Sequence, residues 1–123
     1  MKHLITFTLA LFVSVIVFSQ TPQTINYQAV ARNNSGQALA NQTMKVRLSI
    51  MKSNLTQYSE TRTVTTNALG LFNVSIGSPG ATNVTGTLLG ADWYYTQADP
   101  VKLKVELDPA NNNIFTDMGS QDL

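Results

Sequence analysis

Asp108, Asn111, Asn113 and Asp117 place four hard oxygen donors within the stretch DPANNNIFTD, the donor type that calcium takes. An EF-type loop would also need a central glycine and a closing glutamate, and this stretch has neither. The other reading is an Asn-rich hairpin tip, because Asn and Asp bond their own backbone and tolerate positive φ. That reading is preferred, and no metal site is expected. The single histidine is His3, at the extreme N-terminus, and there is no cysteine. The body of the chain therefore lacks imidazole bases, thiolate nucleophiles and the usual zinc ligand sets. A carboxylate pair remains as a route to hydrolysis, with Asp92, Asp99, Asp108 and Asp117 as candidates. Each sits in turn-like sequence, and so small a chain leaves little room for a cleft. No catalytic residue and no cofactor are expected.

Trp93, Tyr94 and Tyr95 are consecutive and form the one aromatic cluster. Aromatic rings with polar tips suit a stacking platform for sugars, which makes a carbohydrate-binding module the alternative function. The competing reading has Trp93 plugging the end of the fold and one tyrosine pairing across a strand. It is preferred, because a small domain without disulfides needs its aromatics inside. Five Asn-x-Ser/Thr sequons occur, at Asn33, Asn41, Asn54, Asn73 and Asn83, in a chain already rich in Asn and Thr turns.

The elements that would position these residues read as strands. Residues 43–51 alternate cleanly, with Met44, Val46, Leu48 and Ile50 on one face and Lys45, Arg47 and Ser49 on the other. A slip of one residue would forfeit roughly 6–12 kcal/mol of gross burial from this strand alone. Val101, Leu103, Val105 and Leu107 repeat the pattern against Lys102, Lys104 and Glu106. A first strand is expected over Asn26–Arg32, ended by NNSG. KSNLTQ reads as a bend, and Tyr58–Thr66 and Leu71–Ile76 as a hairpin joined by NALG, with Gly70 allowing the turn and Phe72 in the core. Residues 77–90 read as a loop with room for a short strand or helical turn. Trp93–Tyr95 is expected to begin the return strand, and Ile114–Met118 to form a last one. About seven short strands without helical periodicity predict an all-β, two-sheet antiparallel sandwich.

At the N-terminus, Lys2 and His3 precede the uncharged run LITFTLALFVSVIVF and then Ser19, the pattern of a secretory signal. Fifteen helical residues reach roughly 22 Å, short of the ~30 Å hydrocarbon core, so cleavage is expected rather than a membrane span. Residues 1–19 are read as the signal and 20–123 as one domain. Without cysteine the protein is not a lipoprotein, and its fold must stand on burial. Apart from Lys2, seven basic and seven acidic residues are dispersed along the chain. No basic stripe speaks for nucleic acid.

The ordered motifs INYQAVARNNSGQALANQ, VRLSI, YSETRTVTTNALGLFNVSIG, ADW, VKLKVELDP and FTDMGSQDL span Ile25 to Leu123. In this combination the chain resembles the N-terminal transthyretin-like (prealbumin-like) β-sandwich module of exported surface and fibre-associated proteins of Gram-negative bacteria. The resemblance implies a non-enzymatic, secreted or cell-surface module that displays or connects a larger fibre or adhesin-like assembly. Its implied partners are other surface or fibre proteins or downstream domains. In such proteins the last motif leads into further segments, so a chain stopping at Leu123 reads as a truncated or orphan module. The resemblance carries no catalytic residues.

Overall fold

The computed structural model describes residues 23–123, which form strands, turns and loops without a helix. The expected signal, residues 1–19, lies outside the described residues. No helix among the described residues is long and apolar enough to cross a membrane. The strands are β1 (Ile25–Val30), β2 (Thr43–Lys52), β3 (Leu55–Thr65), β4 (Leu71–Ile76), β5 (Thr82–Thr85), β6 (Lys102–Asp108) and β7 (Thr116–Asp122). They make two antiparallel sheets: a five-stranded one in the order β5-β3-β2-β6-β7 and a two-stranded one of β1 and β4. The described residues are all-β, as expected.

β2 lies at the centre of the large sheet because its alternation can be used on one face and its backbone on both edges. Met44, Val46, Leu48 and Ile50 are at most 1% exposed. The inward residues Leu103, Val105 and Leu107 of β6 stand beside them, and Phe72, Val74 and Ile76 of β4 close over them. Half-buried Ile25, Tyr27 and Ala29 of β1 complete one apolar core shared by both sheets. The period-two pattern thus set the faces correctly in β2, β4 and β6.

The hairpin expected between residues 58–66 and 71–76 does not form. β3 pairs with β2 and β5, whereas β4 crosses to the other sheet and pairs with β1. NALG does turn the chain: the Asn67 side chain accepts the N–H groups of Leu69 and Leu71, and Gly70 has φ +79°. A tight turn specifies a reversal of direction, but the flanking strands pair only if both stay in one sheet. Here the reversal is a corner between sheets.

Other boundaries moved by a few residues. The bend in KSNLTQ shrinks to Ser53 and Asn54, both at positive φ (52° and 59°), as a type I′ connection requires. Lys52 therefore pairs directly with Leu55, and an extra residue, Gln57, bulges β3 between Thr56 and Tyr58. The first strand ends at Val30, and Arg32 makes only an isolated bridge to Ala38. Residues 82–85 realise the short strand allowed for in the long loop. The last strand starts at Thr116, two residues later than expected, and runs on to Asp122.

Candidate functional site

Trp93, Tyr94 and Tyr95 lie in the loop between β5 and β6, not in a strand, so the return strand starts only at Lys102. They are 42%, 73% and 50% exposed. This overturns the expectation that Trp93 plugs the fold and a tyrosine pairs across a strand. The core is closed without them: Leu88 of the same loop packs against it, and Val101 is buried at the start of the return. The aromatics are left to solvent.

The loop is nevertheless built. The Trp93 indole N–H donates to the Leu88 carbonyl at 2.8 Å, which fixes the ring by its polar edge. Asp92 accepts the Tyr94 N–H at 3.0 Å and the Lys52 ammonium at 3.0 Å. Lys52 also donates to the Tyr94 carbonyl and lies 5.3 Å from the centre of the Tyr94 ring. Lys52 continues the inward row of β2 beyond Ile50 and is only 8% exposed, so the sheet itself anchors the loop. Further along, Thr96 and Asp99 exchange backbone hydrogen bonds, and the Asp99 carboxylate accepts the N–H and hydroxyl of Ser53 at the β2–β3 turn. A groove of about 440 Å³ runs beside this anchor, lined by Lys52, Ser53, Asn54, Asp99, Pro100 and Lys102 among others.

These contacts set the acidity of the two carboxyls. The Tyr94 N–H, followed by the Lys52 ammonium, holds Asp92 below the ordinary carboxylate value. The Ser53 hydroxyl does the same for Asp99, with a further contribution from the Ser53 N–H. A carboxyl that serves as general acid near neutral pH needs the opposite shift. Asp92 and Asp99 are built as anchors.

The other candidates are placed differently. Asp108 is fully buried at the end of β6, and its carboxylate accepts the N–H groups of Asn112 and Asn113 at 3.0 and 2.7 Å. Asn113 in turn accepts the Lys45 ammonium at 2.7 Å, and Asp117 accepts the Gly119 N–H at 2.7 Å. The Asp108 and Asp117 carboxylates and the Asn113 amide oxygen thus accept N–H groups, the pattern of a hairpin tip. Among the described residues no cluster of three or more His, Cys, Asp or Glu side chains occurs. All five sequon asparagines are exposed.

One arrangement escaped the sequence reading. On β3 the inward row is Tyr58, Glu60, Arg62 and Val64, so two charges enter the core side of the sheet. Glu60 is fully buried, ion-paired with Arg62, and accepts the Tyr58 hydroxyl at 3.1 Å and the Gly77 N–H. Arg62 also donates to the carbonyls of Ser78 and Pro79. Burial, and then the Glu60 charge, raise the Tyr58 pKa. The network ties β3 to the end of β4. Period two in YSETRTV pointed to it, but charged residues in an alternating strand are ordinarily placed outside.

The domain-of-unknown-function family DUF8740 matches residues 26–118. The chain belongs to this family. The match begins within β1 and ends within β7, so the matched stretch takes in both sheets, the aromatic loop and the Asn-rich tip of this chain. No curated protein and no solved structure matches the chain.

Proposed function

We propose that this DUF8740 chain is a non-catalytic module of the cell surface, exported by its N-terminal segment, that connects a larger assembly by pairing a free sheet edge with a strand from a partner. The resemblance to transthyretin-like modules of surface and fibre-associated proteins supports this reading and the finer description of the fold as a sandwich of that type. The observation that carries it is the two-stranded sheet.

β1 and β4 pair with each other alone, so each offers an unpaired backbone edge among the described residues. Neither INYQAV nor LFNVSI contains a charge or a proline, the devices that normally block edge-to-edge pairing. The large sheet, by contrast, guards its edges. β5 has four residues, and β7 is interrupted by a bulge at Gly119 and carries Asp117 and Asp122. Of the two open edges, β4 has space beside it. Grooves of about 310 and 420 Å³ run along it against β3, and Thr63, Val64 and Asn73 line both. β5 covers β3 only from Ser59 to Thr61, which leaves room for an added strand beside residues 62–65. The carbonyls of Leu71 and Ser75 on this edge already accept from Asn67 and Ser78. By period two, the N–H and C=O of Asn73 point the same way and are the groups a new strand would engage.

Sedimentation velocity over a concentration series tests the proposal. The expected result is reversible association, abolished by Asn73→Pro with the thermal unfolding of the monomer retained, since proline is tolerated where an edge N–H faces solvent. A strict monomer at every concentration, alone and joined to any coding sequence that continues past Leu123, overturns it.

A further inference from the structure

We infer that the loop of residues 91–100 is a binding site for neutral polysaccharide, distinct from the sheet edge and independent of the assembly reading. The exposed aromatics and the polar groove meet at Lys52, which lines the groove and reaches the Tyr94 carbonyl and ring. Two properties needed for sugar recognition are therefore contiguous: ring surface for the C–H faces of pyranoses, and polar groups for their hydroxyls.

The chemistry favours a neutral, polyhydroxylated ligand. The Lys52 charge is matched by Asp92, and the groove's other two charges, Asp99 and Lys102, are of opposite sign, so the site as a whole calls for no counter-ion from a ligand. The Trp93 indole N–H is spent on Leu88, so that ring offers its surface rather than a donor. The exposed Asn54 amide and Lys102 ammonium stand on the groove as hydroxyl partners. Five of the eight residues lining the adjacent groove are polar or charged (Lys52, Ser53, Asn54, Asp99 and Lys102), which suits a hydroxylated ligand better than the dry apolar surround of a protein hot spot does. The loop is also pre-organised. Side-chain bonds from Asp92, Asp99 and Lys52, with the indole bond, hold the loop before any ligand arrives, which lowers the entropic cost of binding.

Trp93 is the only tryptophan, so its emission reports on the site directly. The purified protein is titrated with neutral oligosaccharides of the cello, xylo and manno series, with glycerol as control. A saturable shift for at least one series, tightening with chain length and absent with glycerol, is expected. Tyr94→Ala and Tyr95→Ala, which keep the reporter and the backbone contacts, should each bind roughly fivefold more weakly, the worth of one stacked ring. Their thermal unfolding should match the wild type. A flat titration with every series, a response shared by glycerol, or wild-type binding by both variants overturns the inference.

Discussion

Asp99 shows how much one side chain does at the residue scale. It joins the end of the aromatic loop to the β2–β3 turn, 46 positions earlier in the chain, while Asp92 joins the loop's beginning to Lys52. Both carboxyls are depressed in the folded protein, so each favours the anchored loop above the ordinary carboxylate pKa. That contribution is lost as pH falls through the depressed value. Trp93 emission should therefore hold steady on acidification to about pH 4 and change only below it. Asp99→Asn should shrink that acid step. A step centred above pH 5 would show that these carboxyls do not hold the loop. That Asp forms turns was legible in the local sequence. Its partners were not, because Ser53 and Lys52 become neighbours only once β2 and the loop share one end of the fold.

At the scale of the element, β3 departs from the rule that strands present apolar residues inward. Its alternation is intact, but Glu60 and Arg62 occupy inward positions opposite Leu48 and Val46. The arrangement is tolerated because the Glu60 carboxylate receives Arg62, the Tyr58 hydroxyl and the Gly77 N–H together. Removing Glu60 leaves the Tyr58 hydroxyl and the Gly77 N–H without the acceptor they share and the Arg62 charge without its counter-ion. Glu60→Ala should cost about 3–5 kcal/mol in urea unfolding. Glu60→Ala and Arg62→Ala combined should cost clearly less than the two single losses added, because the members act as a unit. Simple additivity would mean the pair is not coupled. β2, β4 and β6 followed their sequence pattern because their inward rows are wholly aliphatic or aromatic up to Lys52. β3 did not, because its charges are satisfied by each other and by the turn that follows β4, which is remote from β3 in sequence.

For the whole molecule, the decisive event is the corner at residues 67–70, where the chain leaves the large sheet for the small one. Gly70 sits there at φ +79°, and a Cβ would come within 3.0 Å of the Ala38 Cβ and 3.2 Å of the Ala31 carbonyl oxygen. The Gly70 carbonyl also accepts the Ala31 N–H, joining the corner to the end of β1. Gly70→Ala should cost about 1–3 kcal/mol through the left-handed backbone and the close approach, measured as a fall in thermal midpoint. An unchanged midpoint would show that the corner relaxes freely. This corner produces the two-plus-five division of strands, and with it the open edge of β4 on which the assembly reading rests.

The amino-acid sequence by itself determined the class of fold, the inward faces of β2, β4 and β6, and the positions of the turns. Each of these depends on neighbours within a few residues: side-chain alternation, and the tolerance of Asn and Gly for positive φ. Only the tertiary structure decided which strand pairs with which, that Trp93, Tyr94 and Tyr95 stay outside, and that Glu60 and Arg62 go inside. Those outcomes depend on groups far apart in the chain, where Leu88 already closes the core and Gly77, Ser78 and Pro79 satisfy the buried charges. Local pattern carries no information about such distant partners.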